Sequence, residues 1–221
     1  MAAGAYHGAV ETLRRDPLAG IEPNEFATIA AVEALAVLVD SRDTGTNEHS
    51  CRVAELAEAL ALALGCSQER ARDIYLAGKL HDIGKVAVPD SILRKRGKLT
   101  EAEWETMRRH PSIGANVVSH VGSLARLAPI IRSHHERFDG AGYPEGLRGH
   151  EIPLEARIVA VVDAYDAMIS DRPYRLRMSA SGARQKLREC AGTQFDPEVV
   201  AALDHHLDGE APEVPSEPVA A

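Results

Sequence analysis

Apolar and polar positions along the chain predict a series of α-helices separated by breaks at glycine and proline. Ser67 is placed to cap one helix, and Thr100 with Glu103 forms a capping box ahead of another. The predicted helices cover about residues 24–40, 46–64, 68–84, 124–137 and 154–170, with others after Thr100, from Pro111, and twice near the C-terminus, where Asp196 caps the last.

The remaining segments set the predicted domain boundaries. Residues 1–23 are aperiodic and are expected to form a poorly ordered leader. Residues 208–221 are rich in Pro, Glu and Ala and are expected to be a disordered tail. Residues 86–97 are predicted to be a loop, and no repeat or linker divides the rest. The sequence therefore predicts one all-α domain over residues 24–207.

Composition supports a helical domain and excludes some partners. Only 4% of the 221 residues are aromatic, and the 45% that are hydrophobic are mostly Ala, Leu and Val, which favours packed helices over sheets. The net charge of -8 offers no basic field for a nucleic-acid polymer or an anionic membrane. An anionic substrate would have to meet local positive charge or metal ions.

Cysteine usage and hydropathy indicate a cellular compartment. Cys51, Cys66 and Cys190 form no CxxC pair, so a disulfide framework or a zinc knuckle is not expected. No signal peptide is recognised, and the longest apolar stretch, residues 27–39, is too short to span a bilayer. We therefore expect a cytoplasmic protein.

Several histidines and carboxylates stand in apolar surroundings. Burying a carboxylate without a cation or several donors costs several kcal/mol, so Asp163 within an apolar helix indicates a paired or metal-bound group. A lone histidine is more often an ordinary core or surface residue, and that alternative stays open here. Imidazoles mixed with carboxylates suit Fe, Mn or Zn. The candidate residues are His49, His81, Asp82, His110, His134, His135 and Asp163.

Two motifs give these residues a context. The segment HDIGK (81–85) resembles the HDxGK motif of the HD superfamily of metal-dependent phosphohydrolases. The segment HHERFDGAGYP (134–144) resembles the HHExxDGxGYP motif of its HD-GYP branch. The runs HSCRV (49–53), HP (110–111), VDAYDA (162–167) and DRPYR (171–175) follow the order that this branch shows.

The resemblance implies an all-α HD-domain helical bundle with the extra C-terminal helices of that branch. It also implies hydrolysis of cyclic di-GMP, first to linear pGpG and often on to GMP. It implies one metal held by His49, His81, Asp82 and Asp163, and a second held by Asp82, His110, His134 and His135. A hydroxide bridging the metals would attack phosphorus in line, with His81, Asp82 and Lys85 as the catalytic residues.

Other motif positions imply substrate contacts. Lys85 would contact the scissile phosphate or the leaving oxygen, and Tyr143 would stack on a guanine. Arg172 and Arg175 would bind phosphates and guanines, with an ordinary surface helix end as the alternative. Asp166 and Glu136 would orient the metal ligands, although a simple salt bridge explains each nearly as well. Asp90 and Arg52 are interpreted as structural.

The chain departs from the pattern at Gly45, where some members carry a glutamate that binds a third metal. We therefore predict two divalent ions, Fe or Mn, with Zn, Ni and Mg as alternatives. No sensory domain is recognised, so the protein either stands alone or takes its signal from a partner protein. The apolar helix near residues 25–39 suits a second copy or burial within its own domain. Alternative functions are hydrolysis of pGpG or cyclic GMP-AMP, and a non-catalytic module for sensing cyclic dinucleotides or docking a protein.

Overall fold

A computed structural model describes residues 23–42, 47–170 and 177–209, with side chains from residue 27 in the first range and residue 48 in the second. Within these ranges the chain is helical, and a bridge between Ala191 and Phe195 is the one β-type pairing. The α-helices are α1 Pro23–Asp40, α2 Asn47–Ala63, α3 Gln68–Leu80, α4 Asp90–Leu93, α5 Glu101–Met107, α6 His110–Ser119, α7 Ala128–Ser133, α8 Leu154–Ile169, α9 Ala180–Glu189 and α10 Pro197–Asp208. Three 3-10 helices cover Ile83–Ala87, Gly122–Leu127 and Gly149–Glu151.

The core forms where α2 packs against α3 and α8. Its fully buried side chains include Leu60, Ile74 and Ile158, one from each of these helices. Gly78 lets α2 and α3 approach closely, because a Cβ there would lie 2.8 Å from Ala54 Cα. Helices α6 and α7 pack together beside this core. The fold class predicted from the sequence is confirmed.

The predicted helix caps are present. The Ser67 hydroxyl accepts a hydrogen bond from the Arg70 backbone amide at 3.2 Å. Thr100 and Glu103 form the reciprocal capping box that begins α5. Asp196 caps α10, where its carboxylate accepts from the Glu198 amide at 2.8 Å. Local hydrogen bonding therefore starts these helices where the sequence indicates.

The predicted helix over residues 124–137 is wrong at both ends. A proline has no amide hydrogen, and its ring clashes with the carbonyl four residues earlier. Residues 122–127 therefore form a 3-10 turn, and a new helix begins at Ala128 with Pro129 in its first turn. Helix α7 then ends at Ser133, and the next residue, His134, donates from its ring Nδ1 to the Ile131 carbonyl at 2.7 Å. The two histidines therefore follow the helix instead of lying on it.

Two further expectations need correction. The helix predicted over residues 68–84 ends at Leu80, and Ile83–Ala87 form a 3-10 helix. The predicted loop over 86–97 contains the short helix α4, which Pro89 precedes as its N-cap residue.

No helix in the described ranges has the length and apolar content needed to cross a membrane. The predicted boundaries of the leader and the tail involve residues outside the described ranges and stay predictions.

Candidate metal centre

Five separate helices bring the candidate ligands to one place. His49 comes from the start of α2, and His81 with Asp82 follows the end of α3. His110 opens α6, and His134 and His135 follow α7. Asp163 lies in α8. The structure thus places side by side residues that are up to 114 positions apart, from His49 to Asp163.

The ligand atoms fall into two groups, each with all its atoms within 4.8 Å of one another. The first group contains His49, His81 and Asp163. Its closest approach is 3.2 Å, between His49 Nε2 and Asp163 Oδ1, and His81 Nε2 is 4.0 Å from the same oxygen. Catalytic metal sites often have three protein ligands, which leaves a coordination position open for water or substrate.

The second group contains His110, His134 and His135. His110 Nε2 lies 3.4 Å from His134 Nε2. The His134 and His135 rings have centroids 4.0 Å apart, and the His135 centroid is 5.0 Å from that of His110. An all-imidazole group of this kind suits a borderline divalent ion.

Asp82 lies between the two groups. Its Oδ2 is 3.3 Å from His81 Nε2 in the first group, and its Oδ1 is 3.3 Å from His110 Nε2 in the second. Lys85 Nζ donates to Oδ2 at 2.7 Å. One carboxylate therefore faces both groups with a different oxygen, which is the arrangement needed to bridge two ions.

The histidine tautomers favour metal binding. The Nδ1–H groups of His81, His110 and His134 each donate to a backbone carbonyl three residues earlier, at 2.8, 2.8 and 2.7 Å. Each ring therefore directs Nε2 toward the centre, where it offers a lone pair whenever the ring is neutral. His81 Nε2 is buried without a hydrogen-bond partner, and two such lone pairs face each other between His110 and His134. Cations would satisfy all of these atoms, so the residues fit metal ions.

The protonation of the two groups differs. Burial lowers the pKa of His134 well below its usual value and that of His135 to about 4, and neighbouring imidazoles act in the same direction. Burial also lowers the pKa of His49, but its hydrogen bonds to Asp163 and Asp166 outweigh that effect and raise it to about 10. For Asp82 the positive charge of Lys85 and of His81 overcomes burial and holds the pKa well below normal.

Behind His49, Asp166 and Arg52 form a support. Asp166 is buried and accepts from His49 Nδ1 at 2.6 Å. Arg52 donates to both Asp166 oxygens, at 2.6 and 3.0 Å. Sequence reasoning assigned Arg52 only a structural role and missed this link. The signal was available, because Arg52 follows His49 by three positions and Asp166 follows Asp163 by three, which places each pair on one helix face.

The loop after His135 is held by Glu136. Its Oε1 accepts from the Glu145 and Gly146 amides, at 2.6 and 3.0 Å. These hydrogen bonds go to the loop backbone, whereas the sequence predicted that Glu136 orients a metal ligand. Gly142 is required for the close approach, since a Cβ there would lie 2.5 Å from Glu136 Cα.

Tyr143 and Lys85 reach the centre from this loop and from the first 3-10 helix. The Tyr143 ring lies 5.1 Å from that of His135, at 36°, and burial raises the pKa of its hydroxyl to about 12. The Tyr143–Pro144 peptide bond is cis. Arg172, Arg175 and Gly45 lie outside the described residues, so their predicted roles stay predictions. Glu48, next to His49, has a side chain that is 78% exposed.

Comparisons with known proteins agree with this centre. The family described as HD domain matches residues 33–199, which is most of the chain. The chain belongs to the HD domain family. This confirms the family that the HDIGK and GYP motifs predicted. The family is metal-dependent, consistent with the two groups of His and Asp side chains.

Individual relatives carry more specific names. A protein of Xanthomonas campestris pv. campestris named cyclic di-GMP phosphodiesterase response regulator RpfG is 46% identical over 83% of this chain and 48% of its own length. A Vibrio cholerae protein named 3'3'-cGAMP-specific phosphodiesterase 2 is 39% identical over 79% of this chain and 34% of its own. The solved structure of an HDG"Y"P protein from Bdellovibrio bacteriovorus shares the fold at a TM-score of 0.62 and 22% identity, over 84% of this chain and 62% of its own. This HD domain chain thus spans half or less of the curated relatives' lengths.

Proposed function

We propose that the protein is a metal-dependent phosphodiesterase that hydrolyses cyclic di-GMP to pGpG and onward to GMP. The observation that carries the proposal is Asp82, which faces two groups of inward-pointing lone pairs with different oxygens. The names of the 39–46% identical relatives support the same substrate class.

The proposed ligand sets divide around Asp82. His49, His81 and Asp163 would hold one ion, and His110, His134 and His135 the other, with Asp82 shared between them. We propose Fe or Mn, because mixed imidazole and carboxylate ligands suit these ions. When bound, a pair of such ions lowers the pKa of water and neutralises charge on phosphoryl oxygens. Burial of the rings excludes bulk water and strengthens these electrostatic effects.

The chain's own cations and rings would position the substrate. Lys85 Nζ, 2.7 Å from Asp82 Oδ2, lies where it can donate to a phosphate oxygen held at the centre. Tyr143, next to His135, would stack on a guanine base. Arg172 and Arg175 are proposed, from sequence alone, to bind the remaining phosphate and guanine groups.

Other nucleotides are the second candidate function. The relative named for 3'3'-cGAMP favours cyclic GMP-AMP as an alternative substrate, and pGpG is the expected intermediate. A non-catalytic sensing or docking module is disfavoured, because such a module has no need to keep all seven ligand side chains around one centre.

The test is to supply metal-free protein with Mn or Fe(II), add cyclic di-GMP, cyclic GMP-AMP or pGpG, and separate the products. We expect pGpG and then GMP from cyclic di-GMP, and no turnover by a folded His81→Ala, Asp82→Ala variant. Cyclic GMP-AMP as the one substrate consumed would select the alternative. No turnover of any substrate by fully metallated protein would overturn both.

We also propose that α1 associates with a second copy. Leu35 and Leu38 are 55% and 62% exposed on this helix, an unusual setting for leucines next to each other on one face. Leu35→Glu, Leu38→Glu should convert a dimer to a monomer by light scattering, and a monomeric native protein would refute the idea. The cytoplasmic location stays a prediction from the sequence.

A further inference from the structure

The 3-10 helix that carries Lys85 is fixed on one side by its neighbours. Lys85 N–H donates to the Asp82 carbonyl at 2.9 Å, and Gly84 lies directly against the start of α6. The other side is exposed at Val86 and Ala87, with Val86 52% exposed, and the chain turns back into the core at Val88. A 3-10 turn has poor hydrogen-bond geometry, so it needs external contacts to keep one conformation.

Arg42, just beyond the end of α1, supplies those contacts. Its Nη1 donates to the Val86 carbonyl and its Nη2 to the Val88 carbonyl, both at 3.0 Å. Its Nε and Nη2 also donate to Asp90 Oδ1, at 3.2 and 2.9 Å. The guanidinium group thus binds every second residue after Lys85, namely Val86, Val88 and Asp90.

A return contact closes the arrangement. Arg94 Nε donates to the Arg42 backbone carbonyl at 2.7 Å. Arg42 therefore binds Asp90 at the start of α4 and is itself bound by Arg94 just after the end of α4. A lysine at position 42 could replace the charge, but its single ammonium could not reproduce this planar set of donors.

We propose that Arg42 is a positioning residue that fixes Lys85 against Asp82 by binding the backbone on the far side of the 3-10 helix. Neither Arg42 nor a role for Asp90 beyond structure was predicted from the sequence. The inference deepens the proposed function and rests on it, because Lys85 matters to catalysis only if the centre cleaves a phosphodiester.

The activity test is a double-mutant cycle between Arg42 and Lys85. Arg42→Ala should lower kcat by about tenfold to 100-fold, the effect of displacing a catalytic group by about 1 Å, with KM changed less. In a Lys85→Ala background the same change should have no further effect, and Arg42→Lys should restore only part of the loss. Equal losses in both backgrounds, or full activity of Arg42→Ala, would overturn the proposal.

A second readout does not depend on turnover. Hydrogen exchange of the backbone amides at 85–88 should speed up at least tenfold in Arg42→Ala, with the metal content unchanged. Arg126→Ala is the matched control, since Arg126 also binds a carboxylate, Asp73 at 2.7 Å, and a backbone carbonyl, that of Ser123. Unchanged exchange at 85–88 in Arg42→Ala would overturn the proposal. If exchange is faster in Arg42→Ala but the native protein has no activity, Arg42 still positions this segment and the proposed function is wrong.

Discussion

Burial and the charge of neighbouring side chains set the protonation of the histidines in the centre. His134 donates to a neutral carbonyl and is surrounded by other imidazoles, so burial keeps it uncharged. His49 instead donates to the Asp166 carboxylate and faces Asp163, so a proton on both nitrogens is stabilised in the metal-free protein. The two ions would therefore enter groups of different charge.

This difference predicts proton release. With a pKa of about 10, His49 is protonated at pH 8 and must lose that proton when an ion binds Nε2. Affinity for this ion should therefore rise as the pH rises toward 10. Titration calorimetry at pH 8, in buffers of different ionisation enthalpy, should count about one proton fewer for His49→Gln than for the native protein.

His135→Gln is the matched control for proton release. The pKa of His135 is about 4, so this ring is already neutral at pH 8 and its removal should leave the proton count unchanged. A count that is the same for His49→Gln and the native protein would contradict the charge assigned to His49.

Sequence reasoning found the ligands but not their supports. Each ligand lies in a short motif or in an apolar helix, where burying a polar group is costly unless it is paired or bound to a metal. Arg52 and Arg42 look like ordinary surface cations in the sequence, because their partners lie 114 and 44–48 positions away. Such links depend on how the helices pack, which local patterns do not specify.

At the scale of elements, the first 3-10 helix is wedged against α6. A Cβ on Gly84 would overlap the His110 carbonyl oxygen and lie 2.6 Å from the Gly114 amide nitrogen. The motif glycine therefore lets the segment with Asp82 and Lys85 approach the helix that begins with His110. This contact joins the two metal-binding groups.

Gly84→Ala should thus force the two elements apart. We expect a loss of about 1–3 kcal/mol in the free energy of unfolding, as for other overpacked contacts, and weaker metal binding. Urea denaturation of the metal-free protein measures the first effect. Gly97→Ala is the control, because a Cβ there would meet nothing within 4 Å. Equal stability of the two variants would show that the close contact is not required.

Helix positions were predicted well where capping residues or an apolar run define them, as for α5, α8, α10 and the start of α3, although α3 ends at Leu80 and not near Gly84. The prediction failed over 124–137, where the apolar pattern continues through Pro129 although the backbone cannot. The turn after Ser133 depends on the His134 side chain, which competes for a backbone carbonyl. Side-chain competition of this kind is not visible in a hydrophobic pattern.

At the scale of the whole molecule, the centre is where α2, α3, α6, α7 and α8 meet, so ion binding should stabilise the entire fold. An ion at 100 times its dissociation constant adds about 2.7 kcal/mol. The melting temperature should rise when Mn is added to metal-free protein. His110→Ala should lose the part of this rise that comes from the ion held by His110, His134 and His135, whereas His120→Ala, at the exposed end of the same helix, should keep the whole rise. A full rise in His110→Ala would mean that this second ion binds elsewhere.

The measurement that tests the account most directly is a titration of metal-free protein with Mn while hydrolysis of cyclic di-GMP is followed by product separation. We predict no turnover without metal, full turnover only as the second ion per chain binds, and almost none in Asp82→Asn at any metal concentration. Asp73→Asn, which alters a surface ion pair, should titrate like the native protein. Full turnover with one ion per chain, or in Asp82→Asn, would contradict a centre built on the Asp82 bridge.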